Sequence, residues 1–115
     1  MSKIMHQYPE TLSKKQIYDL TEAPEGLKFS DHVGSVINVE ALIIRETVNV
    51  DGLIQHITSI LEEGGIVYAT NSETVAAHLM NALAIGEVRQ IEIVSGKTKN
   101  GRTYIDVVVR EFVED

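Results

Sequence analysis

From Val36 to the end of the chain, apolar and polar positions recur in short runs separated by Gly- and Asn-containing turns. Val36–Val48 is rich in Val, Ile and Thr, the composition of a strand. Ile37, Val39, Ala41 and Ile43 fall on one face, but Leu42 and Ile44 interrupt the polar face of Asn38, Glu40 and Glu46. A long strand that is apolar on both faces at one end bends and serves two parts of a barrel. Asn49-Val50-Asp51-Gly52 is a turn signal. A second strand is expected over Leu53–Leu61, then a turn at Glu62-Glu63-Gly64-Gly65 and a short third strand, Ile66–Thr70.

The period then changes. Ser72–Ile85 places Val75, Leu79 and Leu83 four residues apart, with Ala76 and Met80 alongside, which predicts an amphipathic helix. Thr70 with Glu73, or Asn71 or Ser72 alone, caps its start, and Gly86 sits where a left-handed C-cap is expected. Period two returns in Val88–Ser95, where Ile91 and Ile93 oppose Gln90 and Glu92. Asn100-Gly101 is the strongest hairpin signal in the chain. The last strand, Arg102–Phe112, sets Ile105, Val107 and Val109 against Tyr104, Asp106 and Arg110.

Residues 1–30 have a different character and hold both prolines, Pro9 and Pro24. Ser13 and Gln16 form a capping-box signal for a short helix over Lys14–Leu20, with Leu12 and Ile17 as a staple pair and Pro24 and Gly26 as its stop. The reading is therefore an N-terminal arm (1–30) and one domain (31–115). That domain is all-β with one helix, in the order β-β-β-α-β-β. Five strands with a helix after the third is the order of the OB-fold, a Greek-key barrel that binds oligonucleotides and oligosaccharides.

Composition narrows the function. The chain has 115 residues, 43% of them hydrophobic and 23% charged, as in an ordinary globular domain. It contains no Cys, which removes thiolate chemistry, disulfides and Cys-ligated zinc. His6, His32, His56 and His78 have no ligand spacing, so neither a metal nor another cofactor is expected. No apolar run approaches a membrane span and the N-terminus has no apolar leader, so a cytoplasmic protein without a membrane partner is expected. No paired carboxylates or activated nucleophile emerge, and no enzymatic activity is expected. Gly96-Lys97-Thr98 suggests a phosphate loop, but the required earlier glycine is Ile91 and a hairpin follows instead of a helix.

The net charge of −7 argues against broad coating of duplex DNA. Locally the sign reverses: Lys97, Lys99 and Arg102 lie within six residues that hold no acid. In an OB-fold this loop borders the nucleic-acid face, and such cations gain phosphate affinity by releasing counterions. The plainer alternative is a solvated hairpin tip. Tyr68 is a stacking candidate if Val67 and Ala69 point into the barrel; a reversed register makes it core. Tyr104 on the last strand follows the same logic. Arg45 interrupts an aliphatic run and either meets phosphate or a base, or pairs with Glu46 or a neighbouring strand.

A resemblance joins these features. Gly65-Ile66-Val67-Tyr68-Ala69-Thr70-Asn71-Ser72-Glu73-Thr74-Val75 resembles the strand-to-helix segment of small single-stranded DNA-binding proteins of protein-primed Bacillus phages and related Gram-positive phages and prophages. Ile91–Arg102 is similar to that family's glycine-containing hairpin. Val36–Ile44 and Ile57–Leu61 fit its first two strands, and Leu12–Gln16 resembles the lead-in of some members. The resemblance implies a non-enzymatic OB-fold protein that coats single-stranded DNA in phage-type replication, within the host cytoplasm. It implies tyrosine-assisted binding, with Tyr68 at the matching position, across the outer face of strands two and three. Some members have further tyrosines in the first strand and first hairpin, where this chain has Arg45 and Asn49–Gly52. Replication proteins are the further partners to consider, and self-association is left open. The competing reading is an OB-like protein-interaction module, a virion or replication-complex subunit that does not touch DNA; the net charge favours it.

Overall fold

The computed structural model describes residues 3–22 and 26–113. The elements run β1 (Lys3–Tyr8), α1 (Lys14–Glu22), β2 (Leu27–Lys28), a 3-10 turn (Phe29–Asp31), β3 (Val36–Val48), β4 (Ile54–Glu62), β5 (Val67–Thr70), α2 (Glu73–Ile85), β6 (Val88–Lys97) and β7 (Thr103–Phe112). The protein is mostly β, with a curled sheet and two helices. The five expected strands and the expected helix are present as β3, β4, β5, β6, β7 and α2. The count and order of the whole chain differ from the expectation. Among the described residues there are seven strands rather than five, and β1, α1 and β2 precede the expected set. Pro24 as a helix stop and the acidic Glu114-Asp115 lie outside the described residues.

β3 organises the sheet. One edge pairs with β4 from Val39 to Val48, antiparallel. The other edge is divided between β6, which pairs with Val36–Asn38, and β1, which pairs with Leu42–Glu46. The sheet order is β2-β5-β4-β3-β6-β7, with β1 added on β3. Residues 3–8, expected to belong to an arm, are thus a strand of the sheet.

The imperfect alternation of β3 has a specific cause. The β3–β4 register shifts between Val39 and Ala41, so Glu40 is an extra residue, a β-bulge. A one-residue shift exchanges the two faces of a strand. Ile37 and Val39 before the bulge, and Leu42 and Ile44 after it, all face the main core with Ile60, Leu79, Ile91, Ile93 and Val107. Ala41 and Ile43 turn to the opposite face, so the single face expected for Ile37, Val39, Ala41 and Ile43 is broken at Glu40. There they meet Leu20 and Leu61 in a second, smaller core beneath α1. Burying an aliphatic side chain of this size contributes about 1.5–3 kcal/mol. That is why an uninterrupted run, Ala41–Ile44, is fully buried on both faces.

α1 forms as its capping signal predicts. The Ser13 hydroxyl accepts from the Gln16 N–H at 3.1 Å, and the Gln16 side chain accepts from the Ser13 N–H at 3.0 Å. Leu12 and Ile17 pack against the second core. α2 is capped by Ser72, whose hydroxyl accepts from the Val75 N–H at 3.2 Å and donates to the Ile105 carbonyl at 3.1 Å. Val75, Ala76, Leu79 and Ala82 are its buried face. Gly86 has φ −177° and ψ −174°, an extended backbone rather than the expected left-handed cap.

Candidate nucleic-acid interface

Three hairpins are built alike. In Asn49–Leu53, Glu62–Ile66 and Thr98–Arg102, the first residue's N–H donates to the fifth residue's carbonyl, and the fourth residue's N–H donates back to the first residue's carbonyl. The fourth residue is Gly52, Gly65 or Gly101, each with a positive φ that excludes ordinary side chains. The loops therefore differ in chemistry rather than in shape. The first is aliphatic, the second carries Glu62 and Glu63, and the third is basic.

Lys97, Lys99 and Arg102 are all exposed in the third loop. The ion pairs among the described residues join Lys15 to Asp19, Arg110 to Glu92, His56 to Glu46 and Glu73, and His78 to Asp106. None neutralises the basic loop. Asp106, on the same ribbon, lies 3.1 Å from His78 Nδ1 instead. Tyr104 stands opposite Gly96 in the β6–β7 register and is 39% exposed. A Cβ on Gly96 would lie 2.5 Å from the Tyr104 hydroxyl oxygen, so the absence of a side chain there seats the ring. One hairpin thus presents three cations and an aromatic face together.

Tyr68 is not part of that surface. It is 6% exposed and belongs to the main core, contrary to the outward orientation expected. Its β4 partner is Ile60, also a core residue, whereas Val67 pairs with Leu61 beneath α1. In the main core Phe29 and His32 meet the ring edge-on at centroid distances of 6.4 and 5.5 Å. The hydroxyl donates to Glu62 Oε1 at 3.4 Å. Burial, with the Glu62 charge second, pushes the phenol pKa above its ordinary value.

Arg45 stands apart from the basic loop. It pairs with Ile57 on β4 and Ile4 on β1, on the face opposite the main core. It has no ion pair among the described residues, and its Nε is buried without a hydrogen-bond partner. Beside Ile57, a groove of about 420 Å³ is lined by Lys28, Gln55, Ile57, Ala69, Thr70 and Asn71, with Phe29 and Ser30. Sequence reasoning missed Lys28 and Gln55, because β2 and its parallel pairing with β5 left no periodic trace in two residues. α1 covers the rest of this outer face, over Ala41, Ile43 and Leu61. Between Glu46 and Val88 the chain has no Lys or Arg, but it has Glu46, Asp51, Glu62, Glu63, Glu73 and Glu87. The β4–β5 strands themselves therefore carry no Lys or Arg, and Lys28 on β2 and Arg45 on β3 flank them.

Two ribbons leave β3 from opposite ends. Ile93 exchanges hydrogen bonds with Gly34 and Ser35, so β6 and β7 run on past the N-terminal end of β3. The β3–β4 hairpin leaves from the C-terminal end. Lys97, Lys99, Arg102 and Tyr104 thus share one hairpin, and Arg45 on β3 and Lys28 on β2 lie apart from it, with β4 and β5 between them.

Among the described residues no cluster of three or more metal-ligating side chains is present, and no helix is long and apolar enough to cross a membrane. Compared with models of protein families, with curated proteins and with solved structures, the chain gives no match. The class that fold and surface define is a mostly-β protein with a curled sheet and a basic, tyrosine-bearing hairpin.

Proposed function

We propose that this protein binds single-stranded DNA without sequence preference, coating it in phage-type replication and carrying out no covalent chemistry itself. The observation that carries the reading is the β6–β7 hairpin, where Lys97, Lys99 and Arg102 are exposed, outside any ion pair among the described residues, and beside an exposed Tyr104. Cations hold phosphates, an aromatic face stacks a base, and both are tolerant of sequence. The OB-fold gives the architectural frame for this reading. β3 is shared between β4 and β6, and α2 lies between β5 and β6, as the long first strand and the helix of an OB barrel would be. In that frame the basic hairpin is the loop joining the last two strands, a recurrent nucleic-acid contact. The groove at Lys28, Gln55 and Ile57 is the open half of the face formed by strands two and three. The resemblance to phage single-stranded DNA-binding proteins supports the same reading, with Tyr104 taking the stacking role in place of the buried Tyr68.

The alternative, a protein-interaction module in a virion or replication complex, is favoured by one observation: the absence of cations from Glu46 to Val88. A titration with poly(dT), followed by tyrosine fluorescence and by mobility shift at low and moderate salt, separates the two. Binding that weakens with salt and exceeds duplex binding supports the DNA reading. No shift and no quenching at low salt rejects it.

A further inference from the structure

The outer face of β6 and β7 continues the surface that Tyr104 begins. Residues opposite one another in a ladder share a face. The register sets Tyr104 against Gly96, Asp106 against Val94, and Val36 and Val108 on either side of Glu92. Ile91, Ile93 and Val107 point the other way, into the main core with the buried side chains of α2. Val36, Val94 and Val108 belong to neither core. Val36 is 49% exposed, and Val94 and Val108 are half-buried. A valine stripe that runs on from an exposed tyrosine, away from both cores, is an interaction surface rather than packing.

The charges around this face favour a polyanion with apolar bases. Its head is the hairpin that carries Lys97, Lys99 and Arg102. Its two central acids are engaged. Glu92 Oε1 accepts from Arg110 Nε at 2.8 Å and also from Arg110 Nη2. Asp106 Oδ1 accepts from the Val107 N–H at 2.8 Å and lies 3.1 Å from His78 Nδ1. Glu111, opposite Gln90, is outside any ion pair among the described residues and marks the far end. From Gly96 to Gln90 the face runs about 20 Å, at about 3.4 Å per residue. By contrast β4 and β5 carry no Lys or Arg, and α1 covers part of their outer face. We propose that single-stranded DNA leaves the basic hairpin along the outer face of β6 and β7. Its bases lie on Tyr104, Val94, Val108 and Val36, and its phosphates meet Lys97, Lys99, Arg102 and Arg110. The proposal rests on the DNA reading above and names the path that the strand takes. Glu92 is a brake on that path, because its carboxylate holds Arg110 and offsets its charge.

Poly(dT) titrations of the full chain at several salt concentrations compare the wild type with Val94→Glu, Val108→Glu and Glu92→Gln. Each of the two valine changes places an acid on the path and should weaken binding at low salt by about tenfold or more, with an unchanged circular dichroism spectrum. Glu92→Gln keeps an acceptor for Arg110 and removes the opposing charge. It should tighten binding at low salt and steepen the salt slope by about 0.7, the value of one further phosphate contact. An ion pair that only holds the two strands together gives no such gain, and this variant decides the matter if the valine variants fail to fold. Wild-type affinity in both folded valine variants, or no gain in Glu92→Gln, overturns the path. The DNA reading itself stands in that case if replacing Lys97, Lys99 and Arg102 by Ala still abolishes binding. A wild-type chain that does not bind poly(dT) overturns both.

Discussion

Tyr104 lies across Gly96 on the neighbouring strand, with its hydroxyl oxygen 2.5 Å from where a Cβ on that glycine would stand. The two residues are one unit: the glycine provides the seat and the tyrosine the exposed ring. Gly96→Ala therefore displaces the ring without opening the core. The expected stability change is within about 1 kcal/mol, because the ring is partly exposed and free to swing outward. The near-ultraviolet tyrosine dichroism should change. If Tyr104 stacks a base, affinity for poly(dT) should fall by about as much as in Tyr104→Ala, up to 1–3 kcal/mol. Unchanged affinity in both variants would remove Tyr104 from the interface.

A companion experiment separates Tyr104 from Tyr68. The chain has four tyrosines and no tryptophan, so intrinsic fluorescence is reported by tyrosine alone. Tyr68→Phe should retain the quenching produced by single-stranded DNA, and Tyr104→Phe should lose much of it. Tyr68→Phe removes only a long hydrogen bond to Glu62 and should cost about 1 kcal/mol or less. Tyr68→Ala empties a site between Phe29 and His32 and should cost about 3–5 kcal/mol, as for other large aromatic truncations. Urea unfolding measures both.

The contrast between these two tyrosines indicates what sequence discloses and what it does not. From Ile91 onward in β6, and along the facing part of β7, the alternation is regular, so Ile91, Ile93 and Val107 were legible as one face. The capping box of Ser13 and Gln16 was legible because its chemistry is local. Tyr68 sits on a four-residue strand flanked by apolar residues on both faces, and periodicity alone does not choose between them. The choice depends on α1, which supplies a second core for Val67, and no local signal in β5 announces that contact. β1 was missed for a related reason. Lys3, Ile4, Met5 and His6 are all exposed, so the strand is held by backbone pairing to β3 and has no buried face to leave a pattern. The bulge at Glu40 was visible only as broken alternation. The basic loop was legible because charge at an Asn-Gly turn needs no tertiary information.

Acid sensitivity should concentrate at the start of α2. The His56 backbone N–H donates to Glu73 Oε2 at 2.8 Å, and the His56 ring Nδ1 lies 2.8 Å from Glu73 Oε1. Burial by itself raises the Glu73 carboxyl pKa, but the ring and backbone hydrogen bonds from His56, with its charge, outweigh burial and hold it below the ordinary carboxylate value. A folded pKa below the unfolded one gives stability that is complete above the unfolded value and is lost as pH falls through the folded value. The side chain is 60% exposed, so solvent screening keeps the contribution small. Urea midpoints from about pH 7 to about pH 3 span the carboxylate range. Across that span Glu73→Gln should show a shallower acid decline than the wild type, with the difference reduced by added salt. Parallel curves would rule out this pair as a source of acid sensitivity.

The basic loop makes a quantitative prediction about salt. Each cation that neutralises a phosphate releases condensed counterions, and for single strands the slope of log affinity against log salt is about −0.7 per phosphate contact. Lys97→Ala, Lys99→Ala and Arg102→Ala remove exposed side chains with no ion-pair partner among the described residues, so each should leave the unfolding midpoint nearly unchanged. Each should reduce the magnitude of the salt slope by about 0.7, and the triple variant by about 2. Arg45→Ala tests the β3 outer face. If one strand of DNA crosses both the hairpin and Arg45, it also lowers the slope; if DNA is held by the hairpin alone, it alters stability but not the slope. The measurement is a set of poly(dT) titrations at several salt concentrations for each variant. A wild-type affinity independent of salt, or a triple variant with the wild-type slope, would show that the hairpin cations do not hold phosphate.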